Sequence, residues 1–202
     1  NATALPAACT VVALGNRDGV AALFGLADVV RGEAAATIEA LAQQGVSTSM
    51  LSGDRLATAR AIAAEAGIVE VDAELRPEAK RCAIASLQAR GQAVAMVGDG
   101  VNDAPALAGA DIGIALGSAT PLAQSSADLV ILGGRLTDVP VALALARRTR
   151  RIIRENLAWA LVYNAFALPA AALGFVTPLA ASVGMALSSL VVVANAARAG
   201  RA

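Results

Sequence analysis

The sequence predicts an α/β fold, a doubly wound parallel sheet, followed by an all-α hairpin of two apolar helices. Three observations carry this. Between residues 32 and 132, helical patterns alternate with short continuous apolar runs, as strands buried on both faces of a parallel sheet do. Leu157–Val176 and Pro178–Ala197 are each twenty residues without a charge. The net charge of zero also divides: residues 1–134 hold fourteen acids and eight bases, and residues 135–202 hold two acids and eight bases, so −6 stands against +6. Such a division marks two physically different parts.

Elements follow in order. Val11–Leu14 and Val20–Leu26 are apolar runs about the turn residues Asn16-Arg17-Asp18-Gly19, a hairpin signal. Gly32–Gln44 reads as a helix stopped by Gly45, and Val46–Leu51 as a strand. Leu56–Ala66 is a helix stopped by Gly67, and Ile68–Val71 a short strand. Pro77 suits the first turn of a helix running to Arg90. Ala93–Val97, Ile112–Leu116 and Leu129–Leu132 are buried strands, with a short helix at Ala104–Ala108. Val139–Glu155 has no breaker after Pro140, so a long helix is expected to lead into the first apolar stretch.

Composition excludes several classes. Of 202 residues, 57% are hydrophobic, above the roughly 45–50% of ordinary globular chains, which argues against disorder. A zero net charge argues against a nucleic-acid partner. With no histidine, His-based catalysis and His-ligated metal sites are ruled out. Cys9 and Cys82 lie far apart and form no CxxC pair. The chain begins at Asn1 without a cationic n-region or a signal-type apolar run. No targeting peptide is therefore expected, and the chain reads as a processed product or a fragment.

In parallel sheets, ligands bind beyond the carboxyl ends of the strands. Two motifs stand there: Ser52-Gly53-Asp54 after the strand ending at Leu51, and Gly98-Asp99-Gly100-Val101-Asn102-Asp103 after the strand ending at Val97. Asp99 and Asp103 are Gly-flanked acids four residues apart, hard oxygen donors suited to Mg²⁺, a cation that also takes substrate phosphates. Lys80, the sole lysine, could neutralise phosphoryl oxygens as a point charge. Taken singly, each motif has a plainer reading as a turn, a helix cap or a solvated lysine. Their joint placement at strand ends favours a site.

The run Gly98-Asp99-Gly100-Val101-Asn102-Asp103-Ala104-Pro105-Ala106-Leu107 resembles the hinge motif of P-type ATPases. Met50-Leu51-Ser52-Gly53-Asp54 resembles their Thr-Gly-Asp motif with Ser for Thr, and Leu75-Arg76-Pro77-Glu78-Ala79-Lys80 the segment carrying their catalytic lysine. Asp111-Ile112-Gly113-Ile114-Ala115, Gly117-Ser118 and Ala127-Asp128 continue the match. The resemblance implies a haloacid-dehalogenase-like phosphorylation domain, incomplete because its first strand is missing. It implies that Ser52 and Gly53 meet the phosphoryl group, Lys80 neutralises it, and Asp99 binds Mg²⁺. Asn102 and Asp103 would orient the phosphate and support the metal, and Asp54 would close the nucleotide side, with ATP as the nucleotide. Arg55 stands where the family often has Asn, and Pro121 where Asp is common. The phosphorylated aspartate's Asp-Lys-Thr-Gly-Thr stretch is absent, so this chain alone is expected to be inactive and its sheet to be gapped or re-paired.

The two uncharged stretches are expected to span a bilayer, since about twenty helical residues cover roughly 30 Å of hydrocarbon. Five arginines between 147 and 154 precede the first and two follow the second, so the positive-inside rule puts both ends in the cytoplasm. Within the spans, Asn156, Tyr163 and Asn164 precede Pro169, and Met185, Ser188 and Ser189 precede Asn195. Polar residues on a helical face serve either interhelical hydrogen bonds or a pathway. Asn-x6-Tyr-Asn-x4-Pro and Met-x2-Ser-Ser resemble the last two helices of copper(I)-exporting heavy-metal P-type ATPases. That implies a cargo site including Tyr163, Asn164, Met185 and Ser189. Leu-Ser-Gly-Asp and Arg-Glu-Asn-Leu-Ala-Trp-Ala are closest to the copper transporters serving cytochrome oxidase assembly.

The expected organisation is a β-hairpin over 1–31, a partial phosphorylation domain over 32–137, and a coupling helix with the last two membrane helices over 138–202. The implied partners are the transported ion, the lipid bilayer, the remainder of the transporter and a copper chaperone, in a bacterial inner membrane. Alternatives are export of another heavy metal, a membrane-anchored haloacid-dehalogenase-like phosphatase, for which the Asp-x-Asp motif is lacking, and a non-enzymatic metal-binding module.

Overall fold

A computed structural model describes residues 10–16, 19–26 and 29–200. The hairpin turn residues Arg17 and Asp18, and the expectations placed on Cys9 and Arg201, lie outside them. The chain divides into two compact units, residues 1–140 and 141–202.

In the first unit, β1 (Thr10–Asn16) and β2 (Gly19–Leu26) pair antiparallel with an irregularity between Leu14 and Gly15. The alternation then begins: α1 (Ala34–Gln43), β3 (Ser49–Leu51), α2 (Leu56–Ala66), β4 (Glu70–Asp72), α3 (Pro77–Ala89) and β5 (Ala95–Gly98). A single 3₁₀ turn, Val101–Asp103, leads into α4 (Ala104–Gly109), β6 (Ile112–Leu116), α5 (Pro121–Ser125) and β7 (Leu129–Ile131). The sequence did not announce α5, a short helix capped by Thr120, whose hydroxyl accepts from the Ala123 N–H.

The sheet is gapped. β3 and β4 pair parallel as one ladder, and β5, β6 and β7 pair parallel in that order as another. The three-stranded ladder carries a core on each face, as the period-two alternation of side chains requires. Ala115 packs with Leu107, Ala119 and Ala123, joined by Met96 and Val130. Ile114, Leu116 and Ile131 pack on the opposite face with Val139, joined by Leu41, Val97 and Leu136. Residues 114, 115 and 116 therefore point alternately to the two cores, and the expected doubly covered sheet is present.

Two helices present narrow buried faces. On α2, Thr58, Ala59, Ala63 and Ala66 are buried, a helical spacing, and Gly67 closes the helix in the left-handed conformation. On α3 the buried residues are Lys80 and Ile84, four apart. Lys80 thus lies on the inward face of its helix.

The second unit holds most of α6 (Asp138–Ala172), with Pro169 inside it, and all of α7 (Pro178–Ala196). The expected first apolar helix, Leu157–Val176, is shorter in the structure. α6 ends at Ala172, Gly174 takes φ +79°, and Thr177 caps α7 by accepting from the Ala180 N–H. The uncharged run of α6 after Glu155, Asn156–Ala172, is seventeen residues, about 26 Å of helix. Asn164, Tyr163 and Pro169 also lower its hydropathy. Among the described residues only α7 is long and apolar enough to cross a membrane by itself. The two helices nevertheless form a hairpin: the Trp159 indole N–H donates to Ser188 Oγ (3.1 Å), and the Asn195 amide donates to Asn156 Oδ1 (2.9 Å) and Glu155 Oε2 (3.2 Å).

Candidate functional site

β3 ends at Leu51 and β5 at Gly98, and the loops after them meet across the gap in the sheet. They line a pocket of about 370 Å³ with Leu51, Ser52, Gly53, Asp54, Leu75, Pro77, Lys80, Gly100, Asn102 and Asp103. Six residues singled out in the sequence, Ser52, Gly53, Asp54, Lys80, Asn102 and Asp103, are therefore brought together.

The loop after β3 is fixed by its own chemistry. The Ser52 hydroxyl donates to Asp54 Oδ2 (2.9 Å), and the Asp54 N–H donates to Ser52 Oγ (3.1 Å). The Ser52 N–H donates to the Asp72 carbonyl (2.9 Å), and the Ser52 carbonyl accepts from the Leu75 N–H (3.0 Å). The strand end is thereby tied to the segment that opens α3, and α3 delivers Lys80.

Lys80 and Asp103 form a pair, Nζ to Oδ1 at 2.7 Å, with side chains 11% and 16% exposed. Asp103 stands in a cradle made by absent side chains. A Cβ on Gly98 would lie 2.9 Å from Asp103 Cβ, and one on Gly100 would lie 3.3 Å from its Oδ2. The Asp103 carboxylate, in a polar pocket with Asp54 and Asn102, is a hard oxygen donor of the kind that fits Mg²⁺, and the sequence offers a second acid in the same loop.

That second acid, Asp99, is placed differently. Its backbone is held by the Thr120 N–H, which donates to the Asp99 carbonyl (3.0 Å). Its carboxylate, however, is not among the pocket lining and lies 3.5 Å from the Arg31 guanidinium. Arg31 also donates to the Gly134 carbonyl (3.1 Å). Sequence reasoning missed Arg31, since no local signal links it to a loop so far along the chain.

Two acids support the loops from behind. Asp111 accepts from the Val94 N–H (2.8 Å), and this bond, then the Gln88 side chain, holds its carboxyl below the ordinary 3.8. Asp128 accepts from the Gly113 N–H (2.8 Å) and ties β7 to β6.

Among the described residues, no hydrogen bond joins the four residues expected at a cargo site, Tyr163, Asn164, Met185 and Ser189. The Asn164 amide donates to the Ala160 carbonyl of its own helix (2.9 Å). Met185 is 68% exposed, and Ser189 is exposed. Tyr163 faces α7: a Cβ on Gly184 would lie 2.9 Å from its hydroxyl. Ser188, the other serine of the pair, is the one engaged, by Trp159. Among the described residues no group of three His, Cys, Asp or Glu side chains could hold a metal.

A parallel sheet with phosphate-type loops at its strand ends is the architecture of a known class, and the family model of haloacid dehalogenase-like hydrolases matches residues 1–111. The chain belongs to that family. The relatives it is similar to are P-type ATPases. It is 50% identical over 182 residues to the cation-transporting P-type ATPase B of Mycobacterium leprae (strain TN), covering 90% of this chain and 24% of the relative. It is 49% identical over 176 residues to the copper-exporting P-type ATPase of Staphylococcus aureus (strain JH9), covering 87% of this chain and 22% of the relative. Among solved structures, a zinc-transporting PIB-type ATPase in the E2.Pi state matches with a TM-score of 0.84 and 38% identity, over 95% of this chain and 32% of that one. The chain thus spans about a quarter of the length of the curated relatives it matches.

Proposed function

We propose that the chain is the phosphate-handling and final membrane portion of a P-type ATPase that exports a heavy metal, with copper(I) as cargo. The observation that carries this is the single pocket in which Ser52, Lys80, Asn102 and Asp103 converge from two separated strand ends. In the whole transporter these residues would receive the phosphoryl group transferred from ATP. Transfer of this kind is mostly a positioning and electrostatic task. Ser52 and the Gly53 backbone orient phosphoryl oxygens, Lys80 neutralises them, Asn102 donates to them, and Asp54 braces Ser52. Asp99 and Asp103 would hold Mg²⁺, which supplies charge neutralisation to phosphate oxygens when bound.

Copper(I) is supported by the chemistry of the hairpin. No acid follows Glu155, and the thioether of Met185 is a soft donor, to which Tyr163, Asn164 and Ser189 would add weak ones in the whole transporter. The 49% identity over 176 residues to a copper-exporting P-type ATPase supports the same reading. The structural likeness to the zinc transporter keeps zinc as the second reading. Both ends of the α6–α7 segment would lie in the cytoplasm of a bacterial inner membrane, where a copper chaperone could deliver the cargo.

The test uses the whole transporter in sealed vesicles with Cu(I) or Zn(II). Met185→Ala is expected to lose Cu(I) uptake at least about tenfold, a loss of roughly 1.4 kcal/mol, while phosphorylation from ATP is retained. Unchanged Cu(I) uptake, or uptake of Zn(II) alone by the unaltered protein, overturns the copper reading. The 202-residue chain itself lacks Asp-Lys-Thr-Gly-Thr and is expected to take no phosphate from ATP.

A further inference from the structure

The two basic groups at the site are each paired with one of the two acids proposed to bind Mg²⁺. Lys80 holds Asp103 inside the pocket. Arg31 pairs with Asp99, which lies outside the pocket lining, in an open pair with side chains 40% and 56% exposed. Arg31 is not a passing surface charge, because its other terminal nitrogen is anchored on the Gly134 carbonyl. The Asp99 carbonyl accepts from the Thr120 N–H (3.0 Å), and the next residue, Gly100, lines the pocket.

We propose that Arg31 is a guard of the metal site: it occupies Asp99 in the cation's stead, and a divalent cation must displace it before Asp99 can join Asp103. This rests on the reading that Asp99 and Asp103 take Mg²⁺. A guanidinium and a divalent cation compete for the same oxygens, so the two states exclude each other. An exposed pair is a weak competitor, which sets the effect at a small factor in affinity. The arrangement balances the charge of Asp99 with Arg31 and that of Asp103 with Lys80.

The test is Mn²⁺ binding, read by electron paramagnetic resonance, to the full 202-residue chain in detergent. Arg31→Met and Arg31→Gln are expected to bind Mn²⁺ about three- to fivefold more tightly, and Arg31→Lys to stay within about twofold of the parent. In an Asp99→Asn background, Arg31→Met is expected to change nothing. A gain that persists in that background is a general charge effect and overturns the proposal. So does unchanged or weaker binding in Arg31→Met and Arg31→Gln chains of native circular dichroism, when Asp99→Asn itself weakens binding. If Mn²⁺ binding is indifferent to both Asp99→Asn and Asp103→Asn, the underlying metal reading fails, and the proposal with it.

Discussion

Lys80 owes its position to one helical face. Its backbone shares the buried side of α3 with Ile84, so the aliphatic stem is packed and only the ammonium reaches Asp103. Burying such a pair is costly unless both partners are well placed, and leaving one partner alone costs more. The Gly98 and Gly100 positions make the placement possible, because the Asp103 carboxylate fills the space their side chains would take. Asp111 works at the other end of β5, where it accepts from the Val94 N–H. Its carboxyl is held below 3.8 by that bond and then by Gln88. A folded value below the unfolded one adds stability that is complete above the ordinary value and is lost as pH falls through the lowered one. Asp111→Asn is therefore expected to lower stability at pH 6, and the deficit should narrow as pH falls below 3.8. Urea unfolding of both chains from pH 6 to pH 2.5 checks this, and a deficit independent of pH would refute it. The motif residues were legible in the sequence because each loop is local and follows directly on its strand. Arg31 was not, because its partner is chosen by the fold of distant loops.

The helices and strands follow the alternation of the sequence closely where apolar period and punctuation agree. α2 and β6 have the expected limits, Leu56–Ala66 and Ile112–Leu116. Strands read from apolar content alone start later than expected: β3 begins at Ser49 and β4 at Glu70. Ladder pairing, not hydrophobicity, decides a strand's limits, and with the sheet gapped each short ladder has few partners. α6 ended early for a related reason: absence of charge shows a permitted environment, not helix, and Gly174 followed by Pro178 breaks the run first. The sheet is most constrained where β6 meets the loop after β7. A Cβ on Gly117 would lie 2.4 Å from the Leu132 carbonyl oxygen and 3.0 Å from that of Ile131, both backbone atoms that cannot turn aside. Gly117→Ala is thus expected to cost about 1–3 kcal/mol through forced backbone movement. Thermal unfolding in detergent measures it, and a melting temperature equal to that of the parent chain would show that the loop yields freely.

At the scale of the molecule, the zero net charge resolves into an acidic part, residues 1–134, and a basic part, residues 135–202. After Glu155 the chain has bases but no acid, and Glu155 itself is held ionised, by the Asn195 amide first and then Arg151 and Arg198. Asn195 ties the far end of α7 back to the start of the apolar part of α6 through Asn156. The two helix ends that carry arginines are therefore joined, and they must lie on one side of any bilayer that the hairpin enters. The seventeen uncharged residues Asn156–Ala172 of α6 fall short of a bilayer of roughly 30 Å, a mismatch that flanking arginines that snorkel and local thinning would meet in a membrane. The turn between the helices carries no charge, so under the proposed function the positive-inside rule would put it outside and the arginine-bearing ends inside. In a whole transporter whose cysteines are otherwise replaced, Thr177→Cys is expected to react with a membrane-impermeant maleimide added outside intact cells. Ala199→Cys is expected to react only after the cells are opened. Labelling of Ala199→Cys in intact cells would invert the orientation, and failure of Thr177→Cys to label from outside would show a hairpin that enters the bilayer without crossing it.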